Sequence, residues 1–178
     1  MAGTAEVLKA IDRRPNVRYP VLVPNKRGLD DLFALLDQHP SDSPLTNEIS
    51  IFTAATDAFT RANLNTTVTE SLNKLEPVAR AALDRGLRVR GYISVVIACP
   101  YSGKVEPDKV REVAKALVDM GCYEISLGDT VGQGTPDQVG EMIDQAQKSV
   151  SVEKLAVSGC ILPSRAQTLM QICPGACT

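Results

Sequence analysis

The chain of 178 residues has one histidine, His39. That scarcity excludes a histidine-rich zinc site and leaves no evident Ser-His or Cys-His pair. His39 lies in HPSDSPLTN, a stretch of turn formers from His39 to Asn47, and reads as a solvated loop residue. No apolar run approaches the ~20 residues that a membrane-spanning helix needs. Basic blocks are missing too: 19 Lys and Arg are scattered among 21 Asp and Glu, and the net charge is −2. Neither a nucleic-acid partner nor a membrane partner is expected. The opening stretch MAGTAEVLKAIDRRPNV has no apolar core and contains acids, so it reads as neither a signal nor a transit peptide. A disulfide framework is equally unsupported. The five cysteines, Cys99, Cys122, Cys160, Cys173 and Cys177, are odd in number and irregular in spacing, and are expected to be reduced.

What is present suits one globular domain, with 44% hydrophobic residues. Four stretches repeat one grammar: a short β-branched strand, a polar or glycine-containing turn, then an amphipathic helix. The strands are Tyr19 to Asn25, Asn47 to Thr56, Arg88 to Ala98, and Tyr123 to Thr130. The helices that follow are GLDDLFALLDQ, TVTESLNKLEPVARAALDRG, EPDKVREVAKALVDMG and TPDQVGEMIDQAQKSV. Thr67 and Glu70 have capping-box spacing. Pro107 and Pro136 suit first helical turns, and Gly86 and Gly121 suit helix ends. Such alternation with short links predicts parallel strands and right-handed crossovers, an α/β fold of TIM-barrel or doubly wound type. A fifth strand begins at Glu153 to Val157 and then loses its period.

Ligands of parallel α/β folds bind at the C-terminal ends of the strands. In the third strand Arg90, Tyr92 and Ser94 alternate and share one face. A polar stripe there faces a wet cavity or pairs with a neighbouring acid, and both readings stay open. In the fourth strand Asp129 ends the apolar run of YEISLGDTVGQGTP. An acid so placed serves a substrate hydroxyl, a metal or a base, or else bonds the amides of its own turn. The glycines from Gly128 to Gly134 match neither G-x-G-x-x-G nor a P-loop, so a phosphate cradle is not expected.

The stretches VRGYISVVIACPYSGKV, MGCYEISLGDTVGQGTPDQV and RYPVLVPNKRGL closely resemble the 3-hydroxy-3-methylglutaryl-CoA lyase family, from about Ala5 to Val157. The resemblance implies a TIM barrel and a divalent cation, Mg²⁺ or Mn²⁺. It implies an acyl-CoA substrate, cleaved to acetoacetate and acetyl-CoA in leucine breakdown and ketone-body formation. By position it makes Asp129 the residue that assists proton transfer. Ser126 and Thr130 would hydrogen-bond the acyl group, and Arg90 and Tyr92 would line the cavity. The S-L-G-D-T stretch alone also occurs in related isopropylmalate and homocitrate synthases. Family members are mitochondrial or peroxisomal in eukaryotes and cytoplasmic in bacteria, so the compartment stays open.

The family's Arg-Asp pair on its first strand, the acid on its second, its catalytic cysteine loop and its later metal-binding Asn have no counterpart here. Leu155-Ala156-Val157-Ser158-Gly159-Cys160 stands where the family has L-A-V-H-C-H, whose histidines bind the metal. Cys99-Pro100-Tyr101 resembles the family's C-P-Y loop but follows a different strand, and Cys99 receives no proton-donor role. The expectation is a partial TIM barrel over residues 1–157, with about four βα units (strands three to six of the family) and a stub of the seventh. Residues 158–178 are expected to be a non-homologous, disordered tail. A truncated gene product is expected, since Val157-Ser158 can be encoded by GTGAGT, which resembles an intron start. No family metal ligand is identified, and the chain alone is expected to be inactive and to self-associate through open sheet edges. A related acyl-CoA condensing enzyme and a non-catalytic fragment remain the alternatives.

Overall fold

The computed structural model describes residues 3–14, 17–40 and 44–159. In chain order the elements are α1 (Thr4–Ala10), β1 (Val21–Leu22), α2 (Lys26–Gln38), β2 (Glu48–Ala54), α3 (Asp57–Leu64) and α4 (Val68–Asp84). There follow β3 (Arg88–Ser94), β4 (Ala98–Cys99), β5 (Gly103–Lys104), α5 (Pro107–Asp119), β6 (Glu124–Asp129), α6 (Pro136–Gln147), a 3₁₀ turn (Val152–Lys154) and β7 (Leu155–Gly159). One sheet runs β1-β2-β3-β6-β7, and every neighbouring pair is parallel. The small β4–β5 pair is antiparallel.

Two-residue alternation decides which face of the sheet meets the helices. Val89, Ile93, Ile125 and Leu127 are buried in a core shared with Val78, Ala79, Ala82, Val110, Ala114 and Leu117 of α4 and α5. A Cβ on Gly91 would lie 3.0 Å from Leu117 and 3.1 Å from Ile125, so the third strand lies tight on that helical layer. The opposite face carries Arg90, Tyr92 and Ser94, all partly exposed. Helix starts are fixed by side chains. Asn25 accepts from the Gly28 amide at 3.0 Å, and Thr67–Glu70 and Thr135–Gln138 form capping boxes. Gly86 and Gly121 end α4 and α5 with positive φ.

The structure departs from the sequence expectations at several boundaries. Of the first stretch only Val21 and Leu22 form strand, and the Val23 amide adds a bond to the Ser50 carbonyl at 2.8 Å. The third strand stops at Ser94, because Val95 has φ 55° and leaves the extended region. The residues after it form the β4–β5 hairpin instead of more strand. An unforeseen α3 follows β2, with Thr56 accepting from the Phe59 amide at 3.3 Å and Asn65 ending it at φ 51°. The last strand runs two residues beyond Val157, pairing Ser158 with Gly128 and Gly159 with Asp129. The tail at 160–178, with Cys160, Cys173 and Cys177, lies outside the described residues.

Candidate active site at the strand ends

Three polar layers occupy the open face of the sheet. In the lowest, Glu48 opens β2 opposite Arg88 of β3. Glu48 is fully buried, and Tyr123 donates its hydroxyl to Glu48 Oε1 at 2.5 Å. Arg88 stacks on the Tyr123 ring at 3.8 Å, with Arg18 at 5.7 Å. One layer up, Arg90 donates to Glu124 across the β3–β6 pair. Burial lowers the guanidinium's proton affinity, but the Glu124 bond and charge outweigh it and raise the net value. Above that, Tyr92 stands opposite Ser126, which is buried. The Tyr92 ring lies 5.5 Å from the Arg90 guanidinium. Among the described residues Glu48 Oε2 and Arg90 Nε are buried without a hydrogen-bond partner.

Asp129 sits at the C-terminal end of β6. Its carboxylate accepts from the Gln133 amide at 3.3 Å and the Gly134 amide at 2.8 Å. A Cβ on Gly134 would lie 2.9 Å from Asp129 Oδ2, so glycine lets the loop close on the acid. Gly132, at φ 66°, makes the turn between them. Thr130 points across to the third strand: its hydroxyl oxygen accepts from the Val95 amide at 2.8 Å and faces the Gly128 carbonyl at 3.4 Å.

Cys99 lies at the same end of the sheet. Thr56 donates its hydroxyl to the Cys99 sulfur at 3.2 Å. Burial raises the Cys99 thiol, but Ser102, Thr56 and the Tyr101 and Ser102 amides outweigh it, leaving the pKa below the ordinary 9. Cys122 has no such donors, and burial pushes it up to about 12.

The structure therefore brings Arg90, Tyr92, Ser126, Asp129 and Thr130 to two adjacent strands, β3 and β6, and the residue that follows. They are not at one height. Arg90 is four residues below Ser94 along the strand, and Asp129 and Thr130 are at the rim. Glu48 and Tyr123 were missed. The same alternation that singled out Arg90 groups Glu48 with Ser50 and Phe52, and could have found Glu48. Tyr123 lies one residue before β6 and carried no such signal.

The pattern of the HMGL-like family matches residues 4–159, most of the chain. The chain belongs to this family. It is 46% identical over 157 residues to the mitochondrial hydroxymethylglutaryl-CoA lyase of Bos taurus, covering 88% of this chain and 46% of that one. It is 43% identical over 157 residues to the cytoplasmic 3-hydroxy-3-methylglutaryl-CoA lyase of Homo sapiens, covering 88% and 40%. The solved hydroxymethylglutaryl-CoA lyase of Pseudomonas aeruginosa superposes with a TM-score of 0.79 at 41% identity, covering 88% of this chain and 49% of that one. The chain thus spans about half the length of the relatives it matches, and its parallel sheet corresponds to part of their barrel.

Proposed function

We propose that the C-terminal ends of β3 and β6 form an acyl-CoA site of the lyase type. The reaction it belongs to is retro-Claisen cleavage of 3-hydroxy-3-methylglutaryl-CoA to acetoacetate and acetyl-CoA. The supporting observation is the Asp129 carboxylate, held at the strand end by the Gln133 and Gly134 amides beside a polar inner stripe. Asp129 is the group to take the proton of the tertiary hydroxyl. As the carbon–carbon bond breaks, its electron pair passes to the thioester half as an enolate. The hydroxyl carbon becomes the ketone of acetoacetate, and a proton returns to the enolate carbon. Ser126 offers a hydroxyl to the acyl group, and Arg90 and Tyr92 line the wall below it. The stretches R-G-Y-I-S and C-P-Y-S-G-K favour the lyase over a condensing enzyme of the same superfamily.

The resemblance implies a divalent cation, Mg²⁺ or Mn²⁺, which as a Lewis acid would polarise the hydroxyl and acyl oxygens. Among the described residues no group of three His, Cys, Asp or Glu side chains could hold it. Ser158 stands where the family has a histidine, and its hydroxyl does not replace an imidazole ligand. These residues do not fit the cation, and no step above runs through it. The chain by itself is therefore expected to bind the thioester without cleaving it. Acetoacetate release from 3-hydroxy-3-methylglutaryl-CoA, with Mg²⁺ or Mn²⁺ and an Asp129→Ala control, tests this. No release is expected, and release that vanishes in the control would show a working metal site. Self-association through the outer strands β1 and β7 is part of the same reading, since each has one neighbour in the sheet among the described residues.

A further inference from the structure

Val95 is β-branched and fully buried, yet it holds φ 55°. Left-handed backbone is unfavourable for such a residue and persists only where its surroundings impose it. The surroundings here are two bonds from the strand-end segment of β6. The Thr130 hydroxyl oxygen accepts from the Val95 amide at 2.8 Å, and the Gly128 carbonyl accepts from the Val96 amide at 3.1 Å. A Cβ on Gly128 would lie 3.2 Å from the Ile93 carbonyl and 3.7 Å from Thr130 Oγ1, so the two segments are in close contact. The turn at Val95 decides where the chain goes next. It sends Ile97 against Gly134, in the loop that holds Asp129, and Cys99 against Thr56.

We propose that Thr130 is a positioning residue. Its hydroxyl latches the strained turn at Val95, and through that turn it sets the β4–β5 hairpin beside the Asp129 loop. It acts through the neighbouring backbone. The latch itself is independent of the lyase reading; only its value to ligand binding rests on that reading.

A double-mutant cycle on the 178-residue chain tests the latch. Thr130→Val keeps the shape of the side chain and removes the acceptor, and it should lower Tm by about 3–6 °C. Thr130→Ser keeps the hydroxyl and should stay near wild type. Glycine adopts positive φ without strain, so Val95→Gly holds the turn unaided. The residue-95 amide is still present in Val95→Gly, so Thr130→Val should cost as much stability there or more, because no strain is left to relieve. Amide exchange of the β4–β5 hairpin reads the turn itself: it should quicken in Thr130→Val and return toward wild type in the Val95→Gly double variant. Hairpin exchange unmoved by Thr130→Val would overturn the latch, as would a Thr130→Ser loss of stability as large as that of Thr130→Val. Affinity for 3-hydroxy-3-methylglutaryl-CoA, measured by calorimetry, gives the second readout. Affinity lost in Thr130→Val and regained in the Val95→Gly double variant supports action through the turn. Affinity that stays lost in the double variant, with hairpin exchange restored, makes Thr130 a direct contact and overturns the proposal. If the wild-type chain binds no thioester, the lyase reading fails, and hairpin exchange alone decides the latch.

Discussion

Tyr123 and Glu48 show how much a single buried pair can control. The Tyr123 hydroxyl is the donor to a carboxylate that has no water-facing atom. Losing the phenol hydroxyl leaves the buried Glu48 carboxylate without its donor, so Tyr123→Phe should cost about 2–3 kcal/mol near neutral pH, measured by urea unfolding. The same pair sets an alkaline limit. Burial raises the Tyr123 phenol first, and the bond to Glu48 and the Glu48 and Glu124 charges add to it. A folded pKa above the unfolded value gives stability that is complete below about pH 10 and is lost as pH rises through the folded value. The Tyr123→Phe variant should therefore show a flatter loss of stability than wild type above pH 10. A parallel fall in both chains would exclude this pair as the source.

Much of the site could be read from the residues. The alternation of Arg90, Tyr92 and Ser94 is what the third strand shows. Periodicity could not choose between a cavity wall and an ion pair, because the choice depends on a residue 34 positions away, Glu124. The engagement of Asp129 with its own loop was one of two readings that the local sequence allowed. The tie between Thr130 and Val95 was not legible, because φ at Val95 is imposed by contacts across the sheet and no residue signal marks it.

Among the elements, α4 carries the clearest internal conflict. Its start is fixed by the Thr67–Glu70 capping box, yet Pro77 lies inside it and is exposed. Proline there lacks an N–H and crowds the carbonyl four residues earlier. The helix persists because Leu75, Val78, Ala79 and Ala82 are buried against the sheet. Pro77→Ala should then raise stability by roughly 1–2 kcal/mol in urea unfolding, since it relieves the crowding while adding back some unfolded-state entropy. An unchanged or lower midpoint would mean the helix has already absorbed the proline. The long elements were legible because their caps and apolar stripes agree with tertiary packing. The short ones were not: α3 and the β4–β5 hairpin rest on a few hydrogen bonds and have too few residues for a period to show.

At the scale of the molecule, the parallel sheet presents a polar face and, among the described residues, two outer strands, β1 and β7. Leu22 on the outer strand β1 is apolar and 39% exposed. The self-association proposed for this sheet predicts species heavier than one chain in sedimentation at micromolar concentration, and a shift toward the single chain in Leu22→Lys. A wild-type chain that sediments as a monomer would remove that reading. The alternation of strands and helices made the parallel sheet legible from sequence, and the family motifs placed it within a barrel. An acyl-CoA site at the ends of β3 and β6 is tested by a calorimetric titration of 3-hydroxy-3-methylglutaryl-CoA into the 178-residue chain with Mg²⁺ present. Binding should give a saturable heat, reduced in Asp129→Ala, with no sustained heat of cleavage. No saturable heat, or a sustained heat that Asp129→Ala abolishes, would contradict a site that binds the thioester without cleaving it.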